Sequence, residues 1–129
     1  LALKVAPDLD DRAVPEIAAA VERHGIEAVI ATNTTIDRSG VDQLPHGQET
    51  GGLSGAPVFE RANAVLGQFR EALPPHIALV GVGGICSGDD AALKVRLGAD
   101  LVQFYTGFVY RGPDLIAESV RAIRALEAG

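Results

Sequence analysis

The sequence predicts an α/β fold built on a parallel sheet, and three features of its 129 residues lead there. Short apolar runs alternate four times with longer stretches whose apolar residues recur at helical spacing. The second run is continuous and β-branched, as in a strand covered on both faces. Every run then ends at its C-terminal side in polar or glycine residues: Lys4, Thr32-Asn33-Thr34, Gly83-Gly84 and Tyr105-Thr106.

The first strand covers about residues 1–6 and is closed by Pro7, which has no N–H for a ladder. Asp10 or Asp11 caps a helix in which Val14, Ile17, Ala18 and Val21 share one face, and Gly25 stops it. The second strand is 28–32. A loop rich in Gly, Asp, Ser and Thr then runs from 33 to about 57; loops this long inside a compact domain are usually functional. A helix follows over 58–73 and ends at Pro74-Pro75. The third strand is 78–82. Gly83-Gly84 turns the chain, Ser87 or Asp89 caps a helix through Leu97, and Gly98 ends it. The fourth strand, 101–105, leads into a last helix that starts near Pro113-Asp114, with Pro at the first helical position, and runs toward Leu126.

Two architectures use strand–helix units with right-handed crossovers: a doubly wound open sheet and a β/α barrel. A doubly wound sheet places a glycine-rich fingerprint after its first strand, whereas the first turn here is APDLD. A barrel gathers all strand ends at one mouth, often with a phosphate site after its last strands. The pattern fits the barrel. Four units make half of a (β/α)8 TIM barrel, which needs about 250 residues. Either two copies of this half pair, or the rest of the barrel lies outside residues 1–129. The opening inside a strand, without Met, is read as a sign that sequence precedes it.

Composition narrows the function. A net charge of −6 with pI near 4.9 leaves no basic stripe for nucleic acid. A single cysteine, Cys86, excludes an internal disulfide framework, and the three histidines lack metal-ligand spacing. The apolar run 77–82 falls far short of the ~20 residues of a membrane helix, and the start does not read as a signal peptide.

Four groups of residues could carry chemistry. The runs Gly51-Gly52-Leu53-Ser54-Gly55 and Gly81-Val82-Gly83-Gly84-Ile85, with Tyr105-Thr106, suit a phosphate gripped by main-chain N–H groups. Either run alone reads equally well as a tight turn. Lys4, the one charge in an apolar strand, could stabilise an electron-rich group, or it is an exposed strand end. Thr32-Asn33-Thr34-Thr35 suits a small ligand with carbonyls or a carboxylate; Thr34 or Thr35 alternatively bonds its own loop. Cys86 precedes a helix N-terminus but has no histidine near it in sequence, so it reads as structural, and Ser54 and Ser87 are not read as catalytic.

KVAPDL (4–9), IATNTT (30–35), ETGGLSG (49–55), GVGGI (81–85) and QFYTGFVYRGP (103–113) occur in order and at family-like spacing. Together they closely resemble the C-terminal part of dihydroorotate dehydrogenase, particularly its class 2, quinone-linked form, across nearly the whole chain. The resemblance implies an FMN-dependent (β/α)8 barrel that oxidises dihydroorotate to orotate in pyrimidine synthesis, with 1–129 as its C-terminal four β/α units. It implies that Lys4 and Thr32 contact flavin and that Asn33 and Thr34 bond the substrate. Gly55, Gly84, Tyr105 and Thr106 would hold the FMN phosphate and ribityl chain through main-chain amides. The base that removes the substrate proton is a serine expected outside this chain, so no catalytic residue and no metal ligand is assigned here. Quinone contact and peripheral attachment to the cytoplasmic side of the membrane would belong to the N-terminal part. Two alternatives remain: another phosphate-binding, flavin-linked barrel dehydrogenase, and a non-catalytic half-barrel that self-associates.

Overall fold

A computed structural model describes residues 1–10 and 12–128. The order is β1 (Ala2–Val5), α1 (Ala13–Arg23), β2 (Ala28–Ala31), a 3-10 turn (Ala56–Val58), α2 (Phe59–Ala72), β3 (Ala78–Val82), α3 (Gly88–Arg96), β4 (Leu101–Gln103), α4 (Thr106–Arg111) and α5 (Asp114–Glu127). The four strands are all parallel and lie in the order β1-β2-β3-β4. A doubly wound sheet reverses its strand order at a switch point. Here each strand adds to the same edge, so right-handed crossovers lay the helices on one face, as in an arc of a barrel.

That face holds the core. Val5, Val29, Ala31 and Leu79 point at Val14, Ala18 and Val21 of α1 and at Val65, Leu66 and Phe69 of α2. The opposite face carries the row Lys4, Ile30, Val80, Leu101, each the register partner of the next. It is less covered: Leu101 keeps 63% of its surface exposed.

Caps follow the chemistry of the flanking residues. The Asp10 carboxylate accepts from the N–H groups of Arg12 and Ala13, starting α1. Its alternative, Asp11, lies outside the described residues. Ser87 caps α3 by accepting from the Asp90 N–H at 3.2 Å, so Asp89 belongs to the first turn instead. Leu73 is extended where α2 ends, as a residue before proline prefers.

The sequence reading needs three corrections. β1 and β2 stop at Val5 and Ala31, one residue early. β4 stops at Gln103, because the chain leaves the sheet to start the six-residue helix α4, which periodicity did not reveal. Pro113 caps α5 rather than opening it.

Candidate functional site

The C-terminal ends of the four strands border a cavity of about 330 Å³. It is lined by Lys4 from β1, Thr32, Asn33 and Thr34 after β2, Gly55 from the long loop, Gly84 after β3, and Tyr105 and Thr106 after β4. All eight residues expected to bind cofactor or substrate thus meet in one place. The lining contains one cation and no carboxylate, in a chain whose net charge is −6. A wider cleft of about 670 Å³ lies beyond Gly55 and Thr106, between the loop and α4, and includes none of Lys4, Thr32 or Asn33.

Main chain dominates the glycine-rich end. Gly84 has φ +75, and a Cβ there would stand 2.4 Å from Cβ of Phe59, so this turn admits only glycine. Gly55 has φ +79 and packs on Thr106. Among the described residues, the N–H groups of Gly55, Gly84 and Tyr105 have no hydrogen-bond partner in the loops. Thr106 opens α4, so its N–H has no partner within the helix. The Tyr105 side chain is 83% exposed and adds no grip of its own.

The polar end is held by hydrogen bonds along the chain. The Ala31–Thr32 peptide is cis. Thr32 is buried, its N–H donating to the Val82 carbonyl (3.0 Å) and its hydroxyl to the Asn33 carbonyl (2.9 Å). Asn33 donates its N–H to the Val5 carbonyl at 2.7 Å, and its Oδ1 accepts from the Thr34 N–H at 2.9 Å. Among the described residues, the Asn33 side-chain NH2 and the Thr34 hydroxyl therefore stay free to meet a ligand. Thr35 has the local role: its hydroxyl donates to Asp8 at 2.5 Å and accepts from the Asp37 N–H at 3.0 Å.

The long loop is tied back to the barrel by charges that the sequence did not single out. Arg61 on α2 bridges Asp8 (3.1 Å) and Asp37 (3.0 Å), while Arg38 donates to the Glu49 and Gly51 carbonyls. Thr35 pairs with Leu53 in an isolated antiparallel bridge. These contacts bring Gly55 beside Thr106.

Cys86 is a half-buried free thiol. Burial first, then the Asp90 carboxylate, pushes its thiol up from the ordinary value, the wrong direction for a nucleophile. No group of three or more metal-ligating side chains occurs among the described residues. The other residue that sequence reasoning missed is Lys94, which has no accessible surface although it sits on α3. Its signal was its place three residues after Ala91 on the apolar face of that helix.

A family model described as dihydroorotate dehydrogenase matches residues 1–126. The chain is 59% identical over 128 residues to dihydroorotate dehydrogenase (quinone) of Burkholderia mallei strain SAVP1, covering 99% of this chain and 37% of that protein. It is 60% identical over 123 residues to the protein of the same name from Burkholderia pseudomallei strain 668, covering 95% and 36%. Among solved structures, DHODH of Eimeria tenella in complex with ferulenol matches with TM-score 0.91 and 34% identity, over 100% of this chain and 35% of that one. The ligand-free type from the same organism gives TM-score 0.88 at 34% identity, over 95% and 34%. The chain thus spans about a third of the length of the relatives it matches. With sequence, strand order and site in agreement, the chain belongs to the dihydroorotate dehydrogenase family.

Proposed function

We propose that residues 1–129 are the C-terminal half of an FMN-binding β/α barrel. The intact protein would oxidise dihydroorotate to orotate in pyrimidine synthesis and pass the electrons to quinone. One observation carries this reading: the cavity combines four main-chain N–H groups without partners among the described residues, a single lysine and no carboxylate. That donor set fits a phosphate monoester at one end and an electron-rich ring at the other.

When bound, FMN supplies the two-electron acceptor that no side chain here provides. Gly55, Gly84, Tyr105 and Thr106 hold its phosphate and ribityl chain without spending a side-chain charge. Lys4 and Thr32 meet the ring, where the Lys4 ammonium favours the reduced, electron-rich form. The Asn33 amide and the Thr34 hydroxyl orient the pyrimidine. The base that takes the substrate proton, and the surface that meets quinone on the cytoplasmic side of the membrane, belong to the protein outside these residues. No described helix is long and apolar enough to cross a membrane.

The intact protein should purify yellow. Lys4→Ala and Asn33→Ala should each lower turnover with dihydroorotate by about 100-fold, a size usual for losing a preorganised donor. Flavin-free protein that forms no orotate would overturn the reading. A second reading concerns the 129-residue chain alone: it self-associates, because the open face carries Leu101 beside Val80 and Ile30.

A further inference from the structure

Lys94 is buried beneath the glycine turn of β3, and nothing in the proposed reaction uses it. Its stem lies in a slot that Gly81 leaves open: a Cβ at Gly81 would stand 3.0 Å from Cβ of Lys94 and 3.2 Å from its Cδ. The ammonium ends 3.3 Å from the Val82 carbonyl and 5.2 Å from the centre of the Phe59 ring. Val82 belongs to the cavity wall, and Phe59 backs the wall residue Gly84. Val82 precedes Gly83-Gly84, and its carbonyl also takes the Thr32 N–H. Phe59 is the residue against which Gly84 packs.

We propose that Lys94 is a positioning residue for the phosphate end of the cavity, holding the Gly83-Gly84 turn through the Val82 carbonyl and placing a buried positive charge behind the main-chain cradle. A structural role alone does not explain the choice of residue. An unbranched apolar side chain such as Met would fill the same slot without burying an ion. A cation is favoured if a dianion sits on the other side of the turn, since the interior screens it weakly. The inference rests on the phosphate-site reading above and specifies what supports it from below.

The charges that face Lys94 are Asp90, on its own helix, and Glu60, in the first turn of α2. β3 and the 3-10 turn contribute no ionisable group. Burial lowers the ammonium to about 8 against the pull of those two carboxylates. Lys94 therefore loses its charge within an accessible pH range, above that at which a phosphate monoester is already dianionic.

The test uses the intact, flavin-free protein titrated with FMN and with riboflavin, which lacks the phosphate. In Lys94→Met, FMN should bind at least about tenfold more weakly while riboflavin binding changes less than about twofold. In the unsubstituted protein, the preference for FMN over riboflavin should fall between pH 7 and 9.5, and Lys94→Met should abolish that fall. This pH arm needs no substitution to fold, so it decides the question even where Lys94→Met fails to express. Equal loss of both flavins, or a preference independent of pH, overturns the role of Lys94 and leaves the phosphate site standing. An unsubstituted protein that binds FMN no better than riboflavin overturns the phosphate-site reading itself.

Discussion

The two faces of this sheet are made from the same strands and differ in almost every other respect. On the helix side, Val5, Val29, Ala31 and Leu79 are sealed under α1 and α2 with Phe69 at the centre. On the open side the register row is Lys4, Ile30, Val80, Leu101, and its top runs into the cavity. Burial on the first face stabilises the fold by non-directional area. The second face spends its positions on a lysine and on turns that hold N–H groups without partners, which contribute little to stability. Each face even carries one lysine of the pair that frames the site: Lys4 on the open side, exposed, and Lys94 on the helix side, with no accessible surface.

The largest effect that would test this contrast is in the core. Phe69→Ala should cost about 3–5 kcal/mol and Leu79→Ala about 2–5 kcal/mol, as large-to-small changes at fully buried sites do. Leu101→Ser, on the open face of the same sheet, should change stability by less than about 0.5 kcal/mol. Urea denaturation of the 129-residue chain reads all three. If Leu101→Ser proved as costly as Leu79→Ala, the open face would be covered in solution, and sedimentation would reveal the self-associated species.

Next in size is Gly84→Ala. The added methyl meets the Phe59 side chain and backbone, and φ +75 alone costs an L-residue about 1–2 kcal/mol. Because the strain falls on the cavity wall, the intact variant should lose flavin at a protein concentration where it remains folded. Full flavin content in Gly84→Ala would remove this turn from the proposed phosphate site.

How much of this was legible in the residues depends on the range of the interactions. Strands and helices with clear periods were readable because neighbours in sequence determine them. Seven of the eight cavity residues were readable because they sit at strand ends, which parallel strands bring together without further information; Gly55 was readable only from its glycine-rich run. The long loop was not, since its path depends on Arg61 reaching back to Asp8 and Asp37 and on the pairing of Thr35 with Leu53. α4 was hidden because Thr106-Gly107 reads as a strand end, and six residues are too few to show a helical period. Lys94 was hidden by a sound expectation that charges on helices face water.

That buried lysine gives a smaller, signed effect. Its folded pKa, about 8, lies below the ordinary lysine value of about 10.4, so the unfolded chain binds more protons between the two. Its contribution to stability must then rise as pH climbs through that window, the reverse of a lysine in a stabilising ion pair. The difference between the unfolding curves of the unsubstituted chain and Lys94→Met should show this slope. A difference that falls with pH would mean that the ammonium stabilises the fold, and the argument that it serves the ligand would lose its premise.

The smallest effect belongs to the loop that joins the two faces. The Ser39 N–H, donating to Asp37 at 2.9 Å, holds the Asp37 carboxyl below its ordinary value, with a lesser pull from Arg61. A carboxylate with a lowered folded pKa contributes stability above its unfolded value, about 3.9, and loses that contribution as pH falls through the folded one. Acid should therefore loosen the loop, where Asp37 is bonded, before it touches the core. Amide exchange at Thr35 and Leu53, corrected for intrinsic pH dependence, should accelerate below about pH 4 relative to Phe69. In Asp37→Asn that relative acceleration should largely vanish, because the group that titrates is gone. If exchange at Thr35 and Phe69 rose together, loop and core would open as one unit, and the division between the two faces would not extend to their dynamics.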